Sequence, residues 1–181
     1  GQVDEGGSTS ADYNVAIGVI ALNGGVVGSS ELSKNVAVGA YAVSSTSTSP
    51  QIGTVGVGYQ ALAALTAGDG NVAVGYQAGA GLTTGERNTI LGYQALDQGT
   101  TETDDNVAIG YGAMGGGWTT ATVNDNVSIG SGSMAGVMTN DADGNTAVGT
   151  ISLAALTEGQ GNVAIGWNAG NDLTEADSNI L

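Results

Sequence analysis

The side chains that most often carry chemistry are scarce in this chain of 181 residues, which has no histidine and no cysteine. Their absence removes the usual general bases, thiol nucleophiles, zinc ligands and disulfides. What remains is acidic: 17 Asp plus Glu stand against two basic residues, Lys34 and Arg87, for a net charge of -15. The acids are ordered. Asp12, Asp69, Asp104, Asp143 and Asp177 each lie two residues before an Asn that opens a recurring string, and Asp105 and Asp125 lie one before. Asp, Asn and Gly favour tight corners, so turn chemistry is the preferred reading of these positions. The sharper alternative is calcium, held by oxygen ligands at the corners Asp69, Asp104, Asp105, Asp125 and Asp143. A carboxylate column repels itself by about 1 kcal/mol per pair at rung spacing in water, and a bound cation would relieve that. The nonapeptide calcium-roll motif is absent, which weighs against it. The pairs Asp104/Asp105 and Asp141/Asp143 have the residue types of a glycosidic acid and base. They lie in short polar loops rather than in an aromatic-walled cleft, so solvated turns are expected there. The chain is therefore expected not to be an enzyme and to need no cofactor.

The aromatic residues also recur. Tyr59, Tyr76, Tyr93 and Tyr111 hold one position in four successive strings, Trp167 holds it later, and Gln60, Gln77 and Gln94 follow the first three tyrosines. Packing between rungs or between subunits is the expected role of the tyrosines, with sugar stacking as the alternative. Trp118, after Gly115-Gly116-Gly117, sits in an inserted stretch; it is read either as a loop cap or as an exposed surface contact. Thr83-Thr84 and Thr119-Thr120 are too irregular for an ice-matching lattice.

These residues are positioned by a repeat. Asn-Val-Ala-Ile-Gly begins at Asn14 and returns, with small changes, at Asn35, Asn71, Asn88, Asn106, Asn126, Asn145 and Asn162; Thr54 opens a degenerate copy and Asn179 a tenth. Units of 17–21 residues fill 14–181 and leave 1–13 as a lead-in. The truncated last copy implies that the natural chain continues. The fifth position is glycine in all nine complete units: Gly18, Gly39, Gly58, Gly75, Gly92, Gly110, Gly130, Gly149 and Gly166. The eighth is always Ala or Ser, and all length variation falls after it. Val-Ala-Ile reads as a short strand at period two. The bulky face, Val15 and Ile17 in the first unit, is expected to fill the interior. The small face, Ala16 and Gly18, is expected to lie open to another backbone. Segments such as Gln77-Ala78 and Gln94-Ala95-Leu96 are expected to form a second strand. No unit buries its own face, so units must stack, at ~4.8 Å per rung, and the leading Asn residues form an amide ladder interrupted at Thr54.

Composition agrees. Gly supplies 33 residues, only 10% of residues are charged, and 41% are apolar. That is too apolar for disorder and too poor in charge for an ordinary globule. Two basic side chains cannot neutralise a phosphate backbone, so nucleic acid is not an expected partner. No apolar run approaches membrane length, and an anionic surface would repel the chain, so no membrane insertion is expected.

The string Asn-Val-Ala-Ile-Gly-x-x-Ala resembles the head repeats of trimeric autotransporter adhesins, the YadA-type left-handed parallel β-roll. The longer form at Asn71–Gly85 is similar to repeats of phage tail-fibre and related surface proteins, which often end in an endosialidase-type chaperone domain. The resemblance covers 14–181; the unit length of 17–21 residues departs from the shorter fixed adhesin unit. It implies a homotrimer of β-rolls, intertwined or side by side, outside a cell or on a virion surface. The sequence leaves the handedness of the coil open. The expectation is an all-β parallel solenoid of about nine rungs serving as a fibre shaft in host or surface attachment. The alternatives are a cellular filament and a glycan-binding or glycan-cleaving spike segment. Loops or absent domains would contact a surface glycan or receptor.

Overall fold

A computed structural model describes residues 13–23, 31–46, 49–98, 103–118, 122–139 and 142–181. Asp12, Thr119, Thr120 and Asp141 lie outside the described residues. The described chain is an all-β parallel solenoid. Its strands, in chain order, are β1 (Val15–Ile17), β2 (Leu32–Ser33), β3 (Val36–Val38), β4 (Gln51–Ile52), β5 (Val55–Val57), β6 (Val72–Val74), β7 (Thr89–Leu91), β8 (Val107–Ile109), β9 (Val127–Ile129), β10 (Thr146–Val148) and β11 (Val163–Ile165). Nine of them form one sheet in the order β1-β3-β5-β6-β7-β8-β9-β10-β11, while β2 and β4 form a separate pair. All pairings are parallel and in register, so Ala73 faces Ile90, Ile90 faces Ala108 and Ala147 faces Ala164 in adjacent rungs. One repeat therefore makes one coil.

The polarity of the strands is the reverse of the expectation. The central small residue points inward: Ala37, Ala73, Ala108, Ala147 and Ala164 are fully buried, and the flanking Val and Ile are half-buried or exposed. The reason is space. The third position of one unit packs against the ninth of the preceding unit. A Cβ added at Gly56 would stand 2.6 Å from Val43 Cγ2, and one at Gly79 would stand 2.9 Å from Ile90 Cδ1. The two positions share one volume, so Gly56 accompanies Val43 and Gly79 makes room for Ile90. In rung seven the third and eighth positions touch directly, with Ser128 Oγ 2.5 Å from Ser133 Oγ. A β-branched residue pointing into so thin a coil fits only where the facing position gives up its side chain, as Gly79 does for Ile90. The bulk of the core comes instead from the other side of the coil: Leu62, Leu65, Leu82, Leu96, Met114, Met134, Met138, Leu153 and Leu156 are fully buried.

The expected second strand is a turn. Gln94 and Leu96 carry φ of 52° and 47°, and the seventh or ninth positions of other units repeat this, as at Gln60, Leu62, Ile151 and Leu153. Alternating left-handed residues keep the peptide groups parallel to the long axis through the corner. The seventh-position N–H donates to the carbonyl of the preceding coil (Gln77 N to Tyr59 O 2.9 Å), and the ninth to that of the following coil (Leu62 N to Ala78 O 3.0 Å). Rung-to-rung bonding thus continues where strand assignment stops. Ile20, Val43 and Ile151 adopt this conformation although β-branched, at a strain of order 1–3 kcal/mol each that the flanking rungs must hold.

The fifth-position glycine is fixed by stacking. At Gly75, φ is 144° and an added Cβ would lie 2.3 Å from Gly92 O, closer than any carbon–oxygen contact permits. The same clash recurs at Gly18, Gly39, Gly58, Gly92, Gly110, Gly130 and Gly149.

Candidate functional site

Four columns of side chains run along the coil. The first is internal. The leading Asn residues from Asn35 onward are buried up to Asn162, and each accepts through Oδ1 from the backbone N–H of the residue that opens the next unit. Asn106 N donates to Asn88 Oδ1 at 3.0 Å, while Asn106 Nδ2 donates to Val123 O at 2.7 Å. The pattern repeats from Asn126 to Asn145, Asn162 and Asn179. At the bottom, Asn35 N donates to Asn14 Oδ1 at 2.9 Å. At the degenerate unit Thr54 N still donates to Asn35 Oδ1, but Thr54 Oγ1 turns to Gly68 O at 3.4 Å, which is the interruption expected there. These amides satisfy backbone groups that the thin coil would otherwise bury unpaired.

The second column is the acidic corner. Two residues before each opening Asn, Asp69, Asp104, Asp143 and Asp177 accept through Oδ1 from the backbone N–H of the preceding rung at 2.7–2.8 Å (Ile52, Glu86, Asn124 and Gln160). Asn124 does the same for Asp104 N. One residue later the chain is left-handed: Arg87, Asp105 and Asp125 have φ of 57–59°, and Gly70, Gly144 and Gly161 replace them in other rungs. This is corner chemistry of the expected kind, extended between rungs. Among the described residues no group of three or more acidic side chains is placed to hold a metal ion.

The Asp104/Asp105 pair is divided between two tasks. Asp105 takes a bidentate bond from Arg87 (Nε 2.7 Å, Nη2 2.8 Å), while Arg87 Nη1 pairs with Glu86 and Nη2 lies 3.9 Å from Asp104. The Arg87 guanidinium holds the Asp105 carboxyl below the usual carboxylate range, and the carboxylates push Arg87 up in turn. A general acid needs the opposite shift. Lys34 is likewise beside an acid, 3.8 Å from Glu31. Two open hollows run along this corner. One, of about 540 Å³, is lined by Thr84, Glu86, Asp104, Thr122 and Asn124; the other, of about 430 Å³, includes Asp125, Asp143 and Asp177 in its wall. Neither has an aromatic residue in its lining.

The third column is the outer face of the sheet. Nine strands offer two outward positions each. Of these eighteen, sixteen are Val, Ile or Leu and two are Thr (Thr89 and Thr146). None is charged, and Ile17 and Ile165 are 60% and 63% exposed. Beside it stands the fourth column. Tyr59, Tyr76, Tyr93 and Tyr111 stack with ring centroids 5.4, 4.8 and 5.6 Å apart and planes within 17°, and Tyr41 meets Tyr59 edge-on at 6.1 Å. Gln77 and Gln94 donate to the amide oxygen one rung below, at 2.8 and 3.0 Å. The rings spend their faces on one another, which leaves edges and hydroxyls toward solvent.

Of the two readings of Trp118, the exposed contact does not hold: it is 1% exposed and belongs to the core. The exposed indole is Trp167, at 76%. The threonines also bond between rungs, as Thr66 and Thr157 show by donating to Thr83 O and Thr174 O at 3.0 and 2.9 Å. The feature that sequence reasoning missed is the aliphatic outer face. Its signal is in the sequence, as β-branched residues flanking one small residue, but that alternation does not say which face is inside.

These columns define a parallel β-solenoid repeat protein. Protein-family models, curated proteins and solved structures compared with the chain give no match. Among the described residues no helix is long and apolar enough to cross a membrane.

Proposed function

We propose that this chain is a non-enzymatic shaft segment of a surface fibre, assembled as a homotrimer through the aliphatic outer face. The observation that supports the reading is the uncharged stripe of sixteen aliphatic positions. From strand dimensions it is about 40 Å tall and about 13 Å wide, on the order of 500 Å². A patch of that extent sits at the upper end of what monomers expose. A closed cyclic assembly covers the same patch on every copy. The acidic corner belongs to a separate column, so copies joined by the stripe need not oppose carboxylate to carboxylate. This also moves the reason for association: the small face lies inside the coil, and the β-branched face does the joining. A fibre of a phage tail or a surface adhesin fits such a rod, at an extracellular or virion surface. The resemblance to YadA-type repeats stands behind the choice of three copies.

The test is mass in solution. Sedimentation equilibrium of the full chain is expected to give three times 17.5 kDa, and Ile109→Asp is expected to give single chains with an unchanged circular dichroism spectrum. A native chain that sediments as a monomer at micromolar concentration overturns the assembly.

A further inference from the structure

We propose that the tyrosine column is an oxidative cross-linking site, in which Tyr76 and Tyr93 of one chain become joined as dityrosine and staple two rungs together. Three observations carry this. Tyr76 and Tyr93 are the closest pair, with centroids 4.8 Å apart and planes 11° from parallel. Both residues are more than 40% exposed, so an oxidant reaches them, and exposed side chains reorient fast enough to sample edge-on contact. Each is held against its neighbour by a backbone that cannot slip, because Gln94 N is bonded to Tyr76 O at 2.9 Å. The two phenols therefore meet at the high effective concentration of an intramolecular pair.

The chemistry balances with a peroxidase-type one-electron oxidant and hydrogen peroxide. Each phenol yields one electron and its hydroxyl proton, giving a phenoxyl radical with spin on the ortho carbons. Two radicals form one ortho–ortho carbon–carbon bond, and the ortho hydrogens return to the phenol oxygens as the rings regain aromaticity. The two electrons and two protons reduce one hydrogen peroxide to two waters. The proposal rests on ring spacing, exposure and backbone register within one chain, and does not use the shaft reading.

The sequence supplies an unusually clean assay. Lys34 and Arg87 are the only basic residues, so trypsin cuts the denatured chain into 1–34, 35–87 and 88–181. Tyr41, Tyr59 and Tyr76 fall in the middle fragment, while Tyr93 and Tyr111 fall in the last. Among the stacked neighbours, only a Tyr76–Tyr93 bond spans Arg87. The full chain is treated with peroxidase and peroxide, single chains are isolated under denaturing conditions and digested, and fragments are weighed. The expected product is 35–87 joined to 88–181 with the loss of two hydrogens, and a higher melting temperature for the oxidised chain. Tyr93→Phe keeps the ring but removes the phenol, and is expected to abolish the joined fragment. Separate fragments from the oxidised chain, cross-links found only between chains, or a joined fragment that persists in Tyr93→Phe would each overturn the assignment.

Discussion

The two sides of each coil are held by different physics. The strand side runs from the acidic corner through the opening Asn to the fifth-position glycine. It is thin, and its tolerances are those of backbone against backbone: a buried amide bonded within and between rungs, a small inward residue in every rung but that of Ile90, and a glycine whose missing Cβ leaves room for the next carbonyl. The opposite arc is thick, and it is filled by side chains that interchange from rung to rung, with Leu65, Leu82, Met138 and Leu156 in related places. The strand side sets register and repeats its residues closely. The arc supplies volume, and there both length and composition drift.

The sharpest way to break the comparison is at a stacked glycine. Gly75→Ala places a Cβ 2.3 Å from Gly92 O at a φ that L side chains rarely adopt, and neither backbone can yield without breaking the ladder. Circular dichroism is expected to show loss of the cooperative melt, and a variant that melts within a few degrees of the parent would show that the strand side is softer than its geometry. The arc is expected to respond in proportion to volume. Leu156→Ala should cost about 2–5 kcal/mol in denaturant unfolding. Leu156→Met, which copies the side chain of Met138, should cost less than about 1.5 kcal/mol. Equal losses for both would make the arc as specific as the strands. The smallest effect is expected at Asp97, on the arc, where partial burial pushes the carboxyl above its ordinary value. A raised native value favours the neutral form, so stability is lost as pH rises through it. Asp97→Asn is thus expected to raise the melting temperature by a few degrees at most near neutrality. It is expected to have no effect at a pH low enough to neutralise Asp97 in both folded and unfolded chains.

The same contrast decides what could be read without coordinates. The opening Asn, the fifth-position glycine and the corner acids repeat at fixed offsets, so the all-β solenoid, the one-repeat coil and the amide ladder with its break at Thr54 were legible. The direction of the strands was not. Val15 and Ile17 alternate with Ala16 in a pattern that describes two faces but does not say which is inside. Only the width of the coil decides that. The pairing of Gly79 with Ile90 and of Gly56 with Val43 was hidden for a related reason, since each compensation joins different positions of neighbouring units. The arc is the least legible part. Gln94-Ala95-Leu96 has strand-like residues but left-handed turns, and Trp118, set after three glycines, fits a cap and an exposed contact equally well in the sequence, whereas the folded chain buries it.

One consequence concerns pulling. The ladder bonds of Asn106, Gln77 and Gly92 all point from one coil to the next, along the axis of the rod. A tensile load applied at the two ends is therefore borne by hydrogen bonds, not by the covalent chain, which travels around the axis. A coil that has lost the neighbour on one side keeps only half of these bonds and is the next to go. Under force the stack should unwind coil by coil, like thread from a spool. Each detached coil of 17 residues would release at most about 60 Å of slack, and the remaining stack would be left intact.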